Sequence, residues 1–171
     1  MRSGKSKYAE ELAVSRSHTI TDASNFYIAT AQALDSEMEK RIQRHQDDRA
    51  SDQQTQRWQT IEEPIQLGSV LTEYSESNHI VLIDCLTLWL TNLICAENPK
   101  LLEQEKQLFL AAFQESNANI IMVSNEIGFG IVPMGELSRR FADEAGFLHQ
   151  SLAKLCDQVY LTVAGIPTKI K

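Results

Sequence analysis

Residues 79–95 read HIVLIDCLTLWLTNLIC. The run from His79 to Asp84 is β-branched and leucine-rich and closes on a carboxylate, and helical periodicity takes over from Leu86 to Cys95. A strand apolar nearly throughout is one covered on both faces, as in parallel sheets flanked by helices. Asp84 and Asn92 argue against reading the apolar stretch from His79 to Ala96 as a membrane span. An Asp at the C-terminal end of such a strand lies where open α/β sheets bind ligands, and it has the form of a Walker B carboxylate that orders a Mg²⁺ shell. The plainer reading of Asp84 is an N-cap for the helix that follows. On these residues alone both stand.

Outward from this stretch the same alternation continues. Strands are expected at Asn25–Thr30, Asn119–Asn125 and Gln158–Ala164, with a weaker one at Arg57–Ile61. Helices are expected at Ser3–Ala13, Ser36–Gln46, Ile65–Tyr74, Pro99–Ser116 and Gly135–Asp157. In the last, Leu137, Phe141, Ala145, Leu148, Leu152 and Leu155 recur at spacings of three and four and read as one core-facing stripe. The pattern predicts an α/β fold, a mainly parallel twisted sheet with helices on both faces, in one domain over residues 1–171. With 43% apolar and 23% charged residues, composition excludes disorder and low-complexity fibres. The net charge of −7 disfavours nucleic acid and anionic lipid as partners. Nothing near Met1 reads as a leader or anchor, and Cys85, Cys95 and Cys156 form no CxxC pair, so the expectation is a cytoplasmic protein without membrane insertion. All three cysteines are expected to be buried small hydrophobes.

Arg2-Ser3-Gly4-Lys5-Ser6, followed at once by helical pattern, is the second half of a P-loop. There, backbone N–H groups cradle phosphates, Lys neutralises them and Ser binds Mg²⁺. On the second helix Glu37, Arg41 and His45 share a face, with Arg44 adjacent and Asp47, Asp48 and Arg49 following. A neutral imidazole such as His45 can act as nucleophile or base, and arginines suit a polyphosphate. The other reading of a lone His is solvent or a hydrogen bond, and His18, His79 and His149 are read as structural. Asn125 to Pro133, with Gly128 and Gly130, reads as a mobile loop over the ligand edge. Arg139 and Arg140 either reach an anion or serve solubility.

Several strings then point the same way: RSGKS, YIATAQALDSEMEKRIQRHQ, RWQTIEEP, IVLIDCLTLWLTNL, VSNEIGFGIVP, LSRRFADEAG and VAGIPTKIK. In this order they resemble the bifunctional adenosylcobinamide kinase / adenosylcobinamide-phosphate guanylyltransferase family of cobalamin biosynthesis, over essentially the whole chain. The resemblance implies a P-loop NTPase-like fold, phosphorylation of adenosylcobinamide by ATP or GTP, and transfer of GMP from GTP through a GMP–histidine intermediate. It implies His45 as that histidine. Nucleotide contacts carry over to Gly4, Lys5, Ser6, Ala29, Thr30, Ala31, Gln46, Asp47, Asp48, Arg49, Glu62 and Asp84, with Ser6 and Asp84 as Mg²⁺ ligands. It implies a homotrimer as well.

The family loop reads G-G-x-R-S-G-K-S after an apolar strand, whereas Met1 stands at its third position. The expectation is therefore a sheet whose first strand is missing and a functional protein that begins upstream. Ala50 stands where a proline is common, a departure expected to be harmless. Two alternatives stay open here: another small-molecule P-loop kinase with an idle His45, and a non-catalytic nucleotide-binding subunit.

Overall fold

The computed structural model describes residues 3–32, 58–96, 98 and 100–171. In chain order the elements are α1 (Lys5–Ser17), β1 (Ser24–Ala29), β2 (Trp58–Glu62), α2 (Leu67–Glu73), β3 (His79–Asp84), α3 (Leu86–Cys95), α4 (Leu101–Glu115), β4 (Asn119–Val123), α5 (Glu136–Leu155), β5 (Tyr160–Val163) and β6 (Ile166–Lys169). β3 and α3 occupy the residues the sequence assigns them, and α1 runs on past Ala13 to Ser17. The helix expected at Ser36–Gln46 lies outside the described residues.

Four parallel strands form the main sheet in the order β2-β1-β3-β4. Side chains alternate between its faces. Phe26, Ile28, Val81 and Ile83 point to one side, where α2, α3, α4 and α5 bury Leu71, Trp89, Phe109 and Leu148 over them. Tyr27, Leu82 and Val123 point to the other, against Ala9 of α1. Both faces of β1 and β3 are thus dry, which is why these strands read as continuous apolar runs. Among the described residues β4 pairs only with β3, and four of its five residues are half-buried.

Three expectations need correction. Gln158–Ala164 does not join the parallel sheet: Tyr160–Val163 turns back through Ala164 and Gly165 and pairs antiparallel with Ile166–Lys169. Both turn residues have positive φ, 51° and 81°, the geometry that suits a two-residue hairpin. The stripe on α5 is core only in its middle. Ala145, Leu148 and Leu152 are buried, but Leu137 and Leu155 are exposed. A helix of this length spans about 30 Å and a strand as short as β4 about 17 Å, so the helix ends overshoot the sheet. Of the cysteines Cys85 is buried, Cys156 half-buried and Cys95 exposed at the end of α3.

The hairpin is tied in from two sides. Tyr8 of α1 meets Tyr160 edge-on with ring centroids 5.3 Å apart. The Lys171 ammonium donates to the carbonyls of Ala153, Lys154 and Cys156 at 2.9, 3.2 and 2.7 Å, satisfying groups that a helix C-terminus leaves open.

The helix pair α2–α4 depends on a close approach: a Cβ on Gly68 would fall 2.8 Å from the Leu108 carbonyl carbon, a backbone atom. Gly68→Ala is therefore expected to force the helices apart and cost about 1–3 kcal/mol, read as a lower urea midpoint. Leu137→Ser, on an exposed position, is expected to change stability by less than about 0.5 kcal/mol.

Candidate functional site

Parallel register brings the strand ends into line. Glu62, Ala29, Asp84 and Val123 form one row across the C-terminal edge of the sheet. The residue after each, Glu63, Thr30, Cys85 and Ser124, begins the loops that line this edge. Two of the sequence-predicted strand-end carboxylates, Glu62 and Asp84, are therefore on the same edge, with β1 and Ala29 between them.

Behind Asp84 lies a buried bracket. The Thr30 hydroxyl donates to the Cys85 carbonyl at 2.8 Å and accepts the Cys85 N–H at 2.8 Å, while the Thr30 N–H donates to the Asp84 carbonyl at 3.2 Å. Thr30 is wholly buried, so in this structure its hydroxyl ties the end of β1 to the end of β3. The Asn92 carboxamide, from α3, donates to the carbonyls of Thr30 and Pro64 at 2.8 and 3.0 Å and so joins the segments leaving β1 and β2. The Tyr27 hydroxyl donates to Asp84 Oδ2 at 3.1 Å and orients that carboxylate. The Asp84–Cys85 peptide is cis.

The P-loop half meets this edge from the α1 side. Gly4 has φ 87°, a left-handed value that favours glycine, and is the N-cap of α1. A Cβ there would also come within 2.9 Å of the Gly165 Cα in the hairpin turn, and the Gly165 N–H donates to the Ser3 carbonyl at 2.8 Å. Lys5 and Ser6 are the first two residues of the helix. Burial pushes the Cys85 thiol above its ordinary value, the Thr87 hydroxyl opposes this, Asp84 adds to it and Lys5 opposes it. Ala9 of α1 packs in one cluster with Leu82 and Cys85, so the helix lies against the end of β3. A helix packed beside a strand that ends in a carboxylate is the arrangement a nucleoside triphosphate needs. Ala31 follows Thr30 on the loop leaving β1, half-buried. His45, Gln46, Asp47, Asp48 and Arg49 lie outside the described residues.

The next loop over holds a network that sequence reasoning missed. His149, read as structural, meets Ser124 Oγ through Nε2 at 2.7 Å, and its Nδ1 lies 3.8 Å from Glu126 Oε2. Burial pulls the His149 pKa below its ordinary 6.5, and the Glu126 charge opposes this. Asn125 donates to the Thr87 hydroxyl at 2.7 Å, linking this loop to the first turn of α3. Arg139 does not reach out for an anion: its guanidinium donates to the carbonyls of Pro133 and Met134. The one signal available was position, since Ser124, Asn125 and Glu126 directly follow a parallel strand. Their partner on α5 is too distant in the chain for spacing to disclose.

The model of the family described as cobinamide kinase / cobinamide phosphate guanyltransferase matches residues 1–170. The chain is 46% identical over 170 residues to the bifunctional adenosylcobalamin biosynthesis protein CobP of Pseudomonas aeruginosa, covering 99% of this chain and 92% of that one. It is 39% identical over 184 residues to the bifunctional adenosylcobalamin biosynthesis protein CobU of Salmonella typhimurium, covering 99% and 95%. To CobU of Escherichia coli it is 38% identical over the same length and shares.

Two substitutions test this geometry. Thr30→Val leaves the buried Cys85 N–H and carbonyl without the hydroxyl and is expected to cost about 1–3 kcal/mol, with Thr30→Ser recovering most of it. For His149, the folded pKa lies below the unfolded one, so the unfolded chain binds the extra proton. Stability from this group is complete above pH 6.5 and falls as the pH drops below it toward the folded pKa. His149→Gln is expected to flatten that part of a plot of urea midpoint against pH.

Proposed function

The chain belongs to the cobinamide kinase / cobinamide phosphate guanyltransferase family, and on that premise we propose that it performs both reactions at the sheet edge described above. In the first, a triphosphate, ATP or GTP, phosphorylates the aminopropanol hydroxyl of adenosylcobinamide. In the second, GTP supplies GMP to that phosphate, giving adenosylcobinamide-GDP and pyrophosphate. The observation that carries the reading is the packing of α1, which begins at Lys5, against the strand that ends at Asp84, through Ala9, Leu82 and Cys85.

Each residue has a physical task. The free N–H groups at the start of α1 and the Lys5 ammonium hold phosphate oxygens, and Gly4 lets the backbone turn tightly enough to present them. Glu62 and the loop of Ala29, Thr30 and Ala31 border the nucleotide, with the buried Thr30 keeping the edge in shape. Ser6 and Asp84 would hold Mg²⁺. Asp84 is half-buried at the edge and has one carboxylate oxygen engaged by Tyr27, which fits a cation that takes one or two protein oxygens and completes its shell with phosphate and water. For the same reason such a site needs no cluster of three ligating side chains, and none occurs among the described residues. When bound, Mg²⁺ offsets the charge of the triphosphate.

His45 is the nucleophile of the second reaction. A neutral imidazole nitrogen attacks the α-phosphorus, an N–P bond forms, the bond to the β-phosphate oxygen breaks, and pyrophosphate leaves. An oxygen of adenosylcobinamide phosphate then attacks the same phosphorus, breaks the N–P bond and restores the imidazole. Gln46, Asp47, Asp48 and Arg49 border the GMP. Two displacements let one pocket take first a nucleotide and then a bulky macrocycle.

The proposed working form is a single-domain subunit of a cytoplasmic homotrimer, by resemblance to the family. No helix among the described residues is long and apolar enough to cross a membrane.

Intact mass after incubation with Mg²⁺ and GTP, followed by alkaline peptide mapping, is expected to show one added GMP on the peptide carrying His45. His45→Ala is expected to lower guanylyl transfer by at least about a thousandfold. A wild-type chain that phosphorylates but takes no GMP would reduce the function to the plain kinase.

A further inference from the structure

The loop from Ile127 to Met134 leaves β4 at the ligand edge and turns four large apolar side chains to solvent. Phe129 is 81% exposed, Ile131 95%, Val132 79% and Met134 97%. Its backbone is nonetheless held at both ends. Glu126 Oε1 accepts the Gly128 N–H at 2.5 Å, and Glu126 Oε2 faces His149, which in turn bonds Ser124. At the far end Arg139 donates to the carbonyls of Pro133 and Met134, and its N–H to that of Gly135 at 3.0 Å. Apolar side chains facing water from an anchored backbone form a surface built for contact.

Charge says what kind of contact. From Ile127 to Gly135 the loop carries no charged side chain, the acids Glu126 and Glu136 flank it, and the Arg139 guanidinium is taken up by its own carbonyls. Such a surface offers nothing to a triphosphate. It suits a ligand with broad apolar faces and no negative charge. The macrocycle of cobinamide has methyl-bearing faces and neutral amide arms, and cobalt(III) leaves its core cationic. We propose that Phe129, Ile131, Val132 and Met134 form the surface on which the corrin ring rests, beside the nucleotide at the same sheet edge. This inference rests on the cobinamide reading above and assigns the macrocycle's contacts, which that reading leaves open. A second copy of the chain is the competing occupant.

Equilibrium dialysis against cobinamide, followed by the visible absorbance of the corrin, compares the wild-type chain with the double variant Phe129→Ser, Ile131→Ser. GMP loading by intact mass and molar mass by light scattering are measured alongside. The expected result is a Kd for cobinamide raised about tenfold or more, with GMP loading and molar mass unchanged. Equal Kd values for the two chains would overturn the proposal, as would no cobinamide binding by the wild-type chain. A fall in molar mass accompanying the loss would assign the surface to contact between copies and overturn it likewise. If the wild-type chain binds cobinamide and the variant does not, while neither takes GMP, the corrin surface stands and the guanylyl-transfer reading fails.

Discussion

β3 is hydrogen-bonded to β1 along one edge and to β4 along the other, and its two faces are covered by different helices. A slip of one residue would carry Val81 and Ile83 to the face that Leu82 now occupies and break both ladders at once. The register is therefore strongly determined. Because it is, Asp84 and the ends of its neighbours fall in one row. Several described features lie along that row: the bracket of Thr30 and Cys85 behind it, α1 packed beside it, and the anchored loop after β4 at its far side.

Several polar groups near the row are held by one another. Thr30 satisfies both backbone groups of Cys85, Asn92 satisfies the carbonyls of Thr30 and Pro64, and Tyr27 orients Asp84. Inside a low-dielectric edge such a network resists rearrangement, since breaking one bond strands a desolvated partner. The exposed apolar residues of the loop after β4 stand in contrast. Their backbone is fixed by the same kind of bonds, while their side chains have no cover among the described residues.

Much of this was legible along the chain. β3 and α3 could be read to the residue because an apolar run ending in Asp, followed by helical periodicity, has few other solutions. Asp84 could be placed at a strand end and Lys5 at a helix start from pattern alone, whereas Glu62 came from the family resemblance; the structure puts Glu62 and Asp84 in the same row. The closing hairpin was misread because Ala-Gly is a weak turn signal beside Asn-Gly or Asp-Gly, although its backbone adopts the same geometry. The α5 stripe was overextended because periodicity reports which face is apolar, not how far the sheet beneath it reaches.

By itself the sequence determined the class of fold, the strand that anchors it, the helix that starts straight after Gly4 and the family to which the chain belongs. Those follow from local spacing and from strings of neighbouring residues. Only the tertiary structure decided that Thr30 is a buried bracket, that Tyr27 holds Asp84, that His149 meets Ser124 and Glu126, and that Arg139 serves the loop carbonyls. Each of these joins groups separated in the chain by other elements or by a turn whose geometry spacing does not reveal. Hydrogen bonds and burial depend on distance in space, and that distance is settled only when the sheet register and the helix packing are in place.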